Sequence, residues 1–115
     1  MEYNPEILSW NVRGLNNPAK GKAVKDFVAT VKVNLVCFQE TKLDVIDHFM
    51  LIECLGRSFD GFVYLPAVET RGGILLAWDT TILSVDNVQY DTNFLTALVR
   101  AKDGSTWWIT AVYAP

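Results

Sequence analysis

At 115 residues, 50% of them hydrophobic and 20% charged, the chain is sized for one globular unit or a piece of a larger one. No apolar run approaches the roughly 20 residues of a membrane-spanning helix, and Met1-Glu2-Tyr3-Asn4-Pro5 lacks the basic start and apolar stretch of a secretory signal. A net charge of −3 is not by itself that of a nucleic-acid binder, but it is unevenly spread: Arg13, Lys20, Lys22, Lys25 and Lys32 stand against Asp26 alone, so this strip is +4 and the remainder −7.

Ile7 to Val12 reads as a first strand, with Leu8, Trp10 and Val12 on one face by the period of two. Arg13-Gly14-Leu15-Asn16-Asn17-Pro18 is turn chemistry. From Ala19 a helix is expected, with Val24, Phe27, Val28 and Val31 inward and Lys22, Lys25 and Asp26 outward. Its basic side is either a phosphate-facing surface or a solvated helix face. Leu35-Val36-Cys37-Phe38 is too short for a helix and runs straight into Gln39-Glu40-Thr41-Lys42, which is the pattern of a strand buried on both faces. Strand, helix, strand implies a right-handed parallel crossover whose two strands end at one edge. Asn11 and Glu40, distant in sequence, should meet there.

A second helix is expected over residues 44–55, with Ile46, Phe49, Met50 and Cys54 inward. Phe62-Val63-Tyr64-Leu65 is a short strand stopped by Pro66, and Arg71-Gly72-Gly73 opens the strand Ile74 to Trp78. After the turn Asp79-Thr80-Thr81, residues 82–90, 94–101 and 106–112 alternate as an antiparallel meander, with Lys102-Asp103-Gly104-Ser105 as a hairpin turn. The expected architecture is α/β: a mixed sheet with helices on one face. Its other face should show an open apolar band from residues 7–12, 74–78 and 106–112, with Trp10, Trp78, Trp107 or Trp108 contributing. An ending at Tyr113-Ala114-Pro115, on a strand that has just reached the sheet edge, leads to the expectation of a truncated domain.

Ligands in open α/β sheets bind beyond the carboxyl ends of strands, so Glu40 is the first candidate for chemistry. It is suited to Mg²⁺, which often takes one or two protein carboxylates plus substrate phosphates; a plain strand-end pairing with Lys42 fits the same residues. Asn11 either orients a phosphate or metal-bound water, or simply forms the turn before Gly14. Tyr113 either donates to a phosphoryl oxygen or is a half-exposed strand tyrosine. Asp47 and His48 are adjacent on the expected helix, point about 100° apart, and do not form an acid–base pair. No Ser-His-Asp set, Gly-rich phosphate loop or zinc spacing is present. Cys37 and Cys54, with no Cys-x-x-Cys spacing, read as reduced buried thiols of an intracellular protein.

Ser9-Trp10-Asn11-Val12-Arg13-Gly14-Leu15, Cys37-Phe38-Gln39-Glu40-Thr41-Lys42-Leu43, the Gly72-Gly73 strand and Val112-Tyr113-Ala114-Pro115 occur in this order and spacing. Together they resemble the endonuclease/exonuclease/phosphatase superfamily, nearest to the apurinic/apyrimidinic-type endonuclease domain of LINE-like retrotransposons of plants. The resemblance covers this chain and about the first half of the family's domain. It implies half of a four-layer α-β-β-α sandwich of the deoxyribonuclease-like fold and a Mg²⁺-dependent phosphodiesterase that nicks DNA. By position Asn11 matches the asparagine near the scissile phosphate, Glu40 the metal-binding glutamate, and Tyr113 the phosphate-contacting tyrosine.

Two departures accompany the match. Arg13 stands where some branches carry an acid, and the Gly-Asp-x-Asn and Ser-Asp-His segments of the family do not occur. The expectation is therefore a fragment inactive alone that binds Mg²⁺ weakly or not at all. Its partners would be the DNA backbone and the missing C-terminal half, with no membrane, and its location intracellular, the nucleus included. The alternatives are a non-catalytic remnant that at most binds nucleic acid or a partner, and a phosphatase of the same superfamily.

Overall fold

The structure, a computed structural model, describes residues 7–69 and 72–113. The elements run β1 (Ile7–Asn11), α1 (Pro18–Val31), β2 (Leu35–Gln39), α2 (His48–Leu55), β3 (Gly61–Leu65), β4 (Ile74–Trp78), β5 (Leu83–Tyr90), β6 (Phe94–Ala101) and β7 (Thr106–Val112). Met1–Pro5, Arg71, Ala114 and Pro115 lie outside the described residues. Four strands form a mixed sheet in the order β1-β2-β4-β3, with β1 and β2 parallel as the crossover requires. In register, Asn11 lies beside Gln39, so both strands finish at the same edge. No helix among the described residues is long and apolar enough to cross a membrane.

Helix α1 begins where Asn17 caps it, its side chain accepting the Ala19 N–H at 2.9 Å, with Pro18 in the first turn. It ends at Lys32, whose left-handed backbone returns an N–H to the Val28 carbonyl. Gly21 faces α2, where an added Cβ would lie 3.7 Å from the Cys54 Sγ, an ordinary van der Waals distance. Val24 and Val28 are buried as expected. Phe27 and Val31 are instead substantially exposed, Phe27 covering the edge of the sheet through its ring contact with Trp10 at 5.1 Å.

The second helix is shorter than expected. Asp47 is extended and its carboxylate accepts the Met50 N–H at 2.9 Å, which makes it the cap and leaves residues 44–46 outside the helix. The buried stripe is accordingly Leu51, Cys54 and Leu55, while Phe49 points to solvent and Ile46 is buried from the extended segment. His48 packs edge-on against Phe62, which is a structural occupation for both members of the Asp47-His48 pair.

The meander β5-β6-β7 does not join the first sheet; it forms a second, antiparallel sheet. The side of the first sheet that was expected to be an open apolar band is covered by it. Leu35, Cys37, Ile74, Leu76 and Trp78 interdigitate there with Leu83, Leu95, Val99 and Ala111. The helices cover the opposite side around Val36, Phe38, Leu75 and Ala77. The result is three layers, α-β-β, with β2 and β4 buried on both faces. Exposed apolar groups remain on the outer side of the meander, at Phe94, Trp108 and Val112.

Candidate active site

Three strands converge on Glu40. The ladder of β1 and β2 continues past their ends: Val12 donates to the Gln39 carbonyl at 3.0 Å, Gly14 to Glu40 at 2.7 Å and Leu15 to Thr41 at 2.8 Å. From the other side, Thr41 and Lys42 donate to the Gly73 and Gly72 carbonyls, at 3.3 and 2.6 Å. The backbone of Glu40 is thereby held on both flanks while its side chain stays half-buried at the rim.

This edge also concentrates unusual backbone. Arg13, Glu40 and Lys42 have φ of 53°, 55° and 59°, and Gly14 and Gly73 adopt 103° and 88°. A left-handed non-glycine residue costs on the order of 1–3 kcal/mol and persists only where its surroundings over-determine it, typically at functional sites. Among the described residues Thr41 is the one buried polar side chain, and its hydroxyl accepts the Leu43 N–H at 3.4 Å. Neither Thr41 nor the left-handed positions is marked by the sequence pattern. Gly72-Gly73 was the available clue, since adjacent glycines at a strand start often mark a close backbone approach.

Asn11 lies at the same edge, exposed, with its carbonyl oxygen accepting the Arg13 N–H at 3.1 Å. That bond orients the side-chain amide, so the group it offers a ligand is chiefly the NH₂ donor, which suits a phosphate oxygen. Gln39 ties the two strands together below it, donating to the Ser9 hydroxyl at 3.2 Å and the Cys37 sulfur at 3.4 Å. Burial pushes the Cys37 thiol up to about 11, so it stays protonated and inert. Tyr113 follows β7, half-buried against the inter-sheet core, with its N–H on the Asn93 carbonyl at 2.7 Å. In its own sheet it lies at the end where β5 finishes and β6 begins.

Among the described residues no three His, Cys, Asp or Glu side chains cluster as a metal cage. What is present is one carboxylate and one amide at a shared edge, a donor set that fits a hydrated Mg²⁺ completed by water and phosphate oxygens.

The chain belongs to the endonuclease/exonuclease/phosphatase family, whose model matches residues 8–112. Among solved structures, an AP endonuclease of Leishmania major is 22% identical over 96% of this chain and 40% of its own, with a TM-score of 0.59. The catalytic domain of human Nocturnin, solved with bound sulfate, is 14% identical over 92% of this chain and 48% of its own, with a TM-score of 0.67. Both likenesses show the fold, and the chain spans less than half the length of either. No curated protein matches the chain.

Proposed function

We propose that these residues are the N-terminal part of a Mg²⁺-dependent DNA endonuclease domain of the LINE retrotransposon type, inactive without the rest of the domain. The observation that carries this reading is the convergence of β1, β2 and β4 on a left-handed Glu40 beside Asn11, in a chain of this family. In the reading, Glu40 holds the metal, Asn11 orients the scissile phosphate through its NH₂, and the Tyr113 hydroxyl donates to a phosphoryl oxygen. The metal, when bound, would supply charge neutralisation for an in-line displacement. The general base and further carboxylates would come from Gly-Asp-x-Asn and Ser-Asp-His segments, which these residues lack. The expected location is intracellular, where Cys37 and Cys54 stay reduced.

The test is nicking of supercoiled plasmid with Mg²⁺. The isolated 115 residues are expected to show none, because each lost role costs orders of magnitude in rate. A domain completed with a C-terminal half carrying both missing segments should nick, and Glu40→Ala should abolish it. Nicking by the completed domain that is indifferent to Glu40→Ala would overturn the assignment. Reading the sequence that follows Pro115 separates a working endonuclease from a non-catalytic remnant.

A further inference from the structure

Glu40 occupies a costly backbone conformation, and something must hold it there. The close neighbours that do so are side-chain-free. A Cβ built on Gly72 would lie 3.0 Å from Glu40 Cγ and 3.1 Å from Glu40 Cα, nearer than real Cβ atoms comfortably approach. A Cβ on Gly73, where φ is +88°, would lie 2.6 Å from the Thr41 hydroxyl and 3.1 Å from the Ala67 N–H nitrogen. Between these contacts run the two hydrogen bonds from Thr41 and Lys42 to Gly73 and Gly72.

We infer that Gly72 and Gly73 are positioning residues that press the start of β4 against Glu40 and Thr41, fixing the left-handed turn from which the Glu40 carboxylate is presented. The functional weight of this clamp rests on the reading of Glu40 as a metal ligand, but the clamp itself is a statement about backbone geometry. Any side chain at Gly72 meets the Cα of Glu40, an atom that cannot swing away, so the strand start or Glu40 itself must shift. Thr41 completes the device from the other side: fully buried, its hydroxyl fills the space that Gly73 leaves. Gly56 provides a comparison, since it has a φ of +89° with nothing within 4 Å of an added Cβ.

The experiment is NMR on the 115-residue chain, wild type against Gly72→Ala and Gly56→Ala, with Mn²⁺ as the metal probe. In Gly72→Ala the HN–Hα coupling of Glu40 should leave its left-handed value. The Lys42 amide should exchange about tenfold faster, while amides of β5–β7 stay unchanged. Mn²⁺ broadening at Glu40 should need about tenfold more metal, the loss expected when a supporting contact of a ligand is removed. Unchanged coupling and protection in Gly72→Ala, or an equal loss in Gly56→Ala, would overturn the inference. Glu40→Gln tests the metal reading separately: broadening that ignores it removes the ligand assignment, while the exchange data still decide the clamp. If Gly72→Ala does not fold, Thr41→Ala only deletes atoms and carries the same reading. Faster Lys42 exchange supports the clamp, and unchanged exchange refutes it.

Discussion

Strands β4 and β6 both feed the core between the two sheets, yet they are written differently. Every residue of β4, Ile74 to Trp78, is buried, whereas β6 alternates, with Leu95, Ala97, Val99 and Ala101 buried and Phe94, Thr96, Leu98 and Arg100 facing outward. The difference is the number of covered faces. Helices and the meander enclose β4 from both sides, while β6 has a partner on one. The ends differ too. The edge of the four-stranded sheet carries Arg13, Glu40 and Lys42 in left-handed conformations, whereas the hairpin after β6 closes with Gly104 in that region and an Asp103 side chain on the Ser105 N–H at 2.9 Å. Strain beside the doubly enclosed sheet is held by neighbours on several sides. In the meander a glycine takes that conformation at the hairpin after β6, and Asn87, with a φ of 51°, takes it where the β5–β6 register shifts.

The sharpest way to break this comparison is to truncate one residue in each setting. Phe38→Ala, in β2 and fully buried, is expected to cost about 3–5 kcal/mol, against roughly 1 kcal/mol or less for Leu98→Ala on the outer face of β6. Urea unfolding measures both, and equal losses would mean the meander is enclosed on both faces after all. Next in size is Gly61→Ala, whose Cβ would lie 2.4 Å from the indole nitrogen of Trp78. It should cost about 1–3 kcal/mol and alter Trp78 fluorescence, since overpacking displaces a neighbour. Gly104→Ala, with open space around it and only a φ of +91° to oppose it, should cost no more than about 1–2 kcal/mol.

A smaller effect appears only with pH. Cys37 titrates near 9.0 when unfolded and about 11 in the fold, so its burial favours the native state fully below pH 9. As pH rises from 9 toward 11 the unfolded thiol ionises first and that contribution is lost. Cys37→Val should flatten this alkaline decline in a thermal-melt series, and an unchanged slope would assign the decline to other groups. The smallest change in stability, within about 0.5 kcal/mol, is expected for Trp108→Ser on the exposed outer face. Its readout is hydrophobic-dye binding, which should fall, because Phe94, Trp108 and Val112 are the apolar surface that the fold leaves uncovered there.

Much of this was legible before any coordinates. The apolar run at 35–38 announced a doubly buried strand, the crossover placed Asn11 next to the end of β2, and alternation located all three meander strands. The separation into two sheets was not legible. A turn such as Asp79-Thr80-Thr81 serves equally for a strand that rejoins its sheet and for one that folds beneath it, and only the packing of Leu83, Leu95 and Val99 decides. The start of α2 lies later than the expected residue 44 because the Asp47 carboxylate caps the helix, a role that the sequence pattern alone does not distinguish from a place inside it. At the site, residue types pointed to Glu40 and Asn11. The left-handed backbone beneath Glu40 leaves no mark in a non-glycine residue, and Gly72-Gly73 tells that something comes close without saying what.

The position of β2 in its sheet has a consequence for how the chain is made. Leu35 pairs upstream with Ile7 and downstream with Trp78, while each meander strand finds its partner immediately next in the chain. As the polypeptide leaves the ribosome, β2 therefore waits with one rim unsatisfied until residues 74–78 have been synthesised. Throughout that interval Val36-Cys37-Phe38 is an apolar strand edge open to any other chain. The meander passes through no such interval, since a hairpin closes as soon as its second strand emerges. Nascent-chain misassembly should accordingly begin at β2, the strand that ends at Glu40.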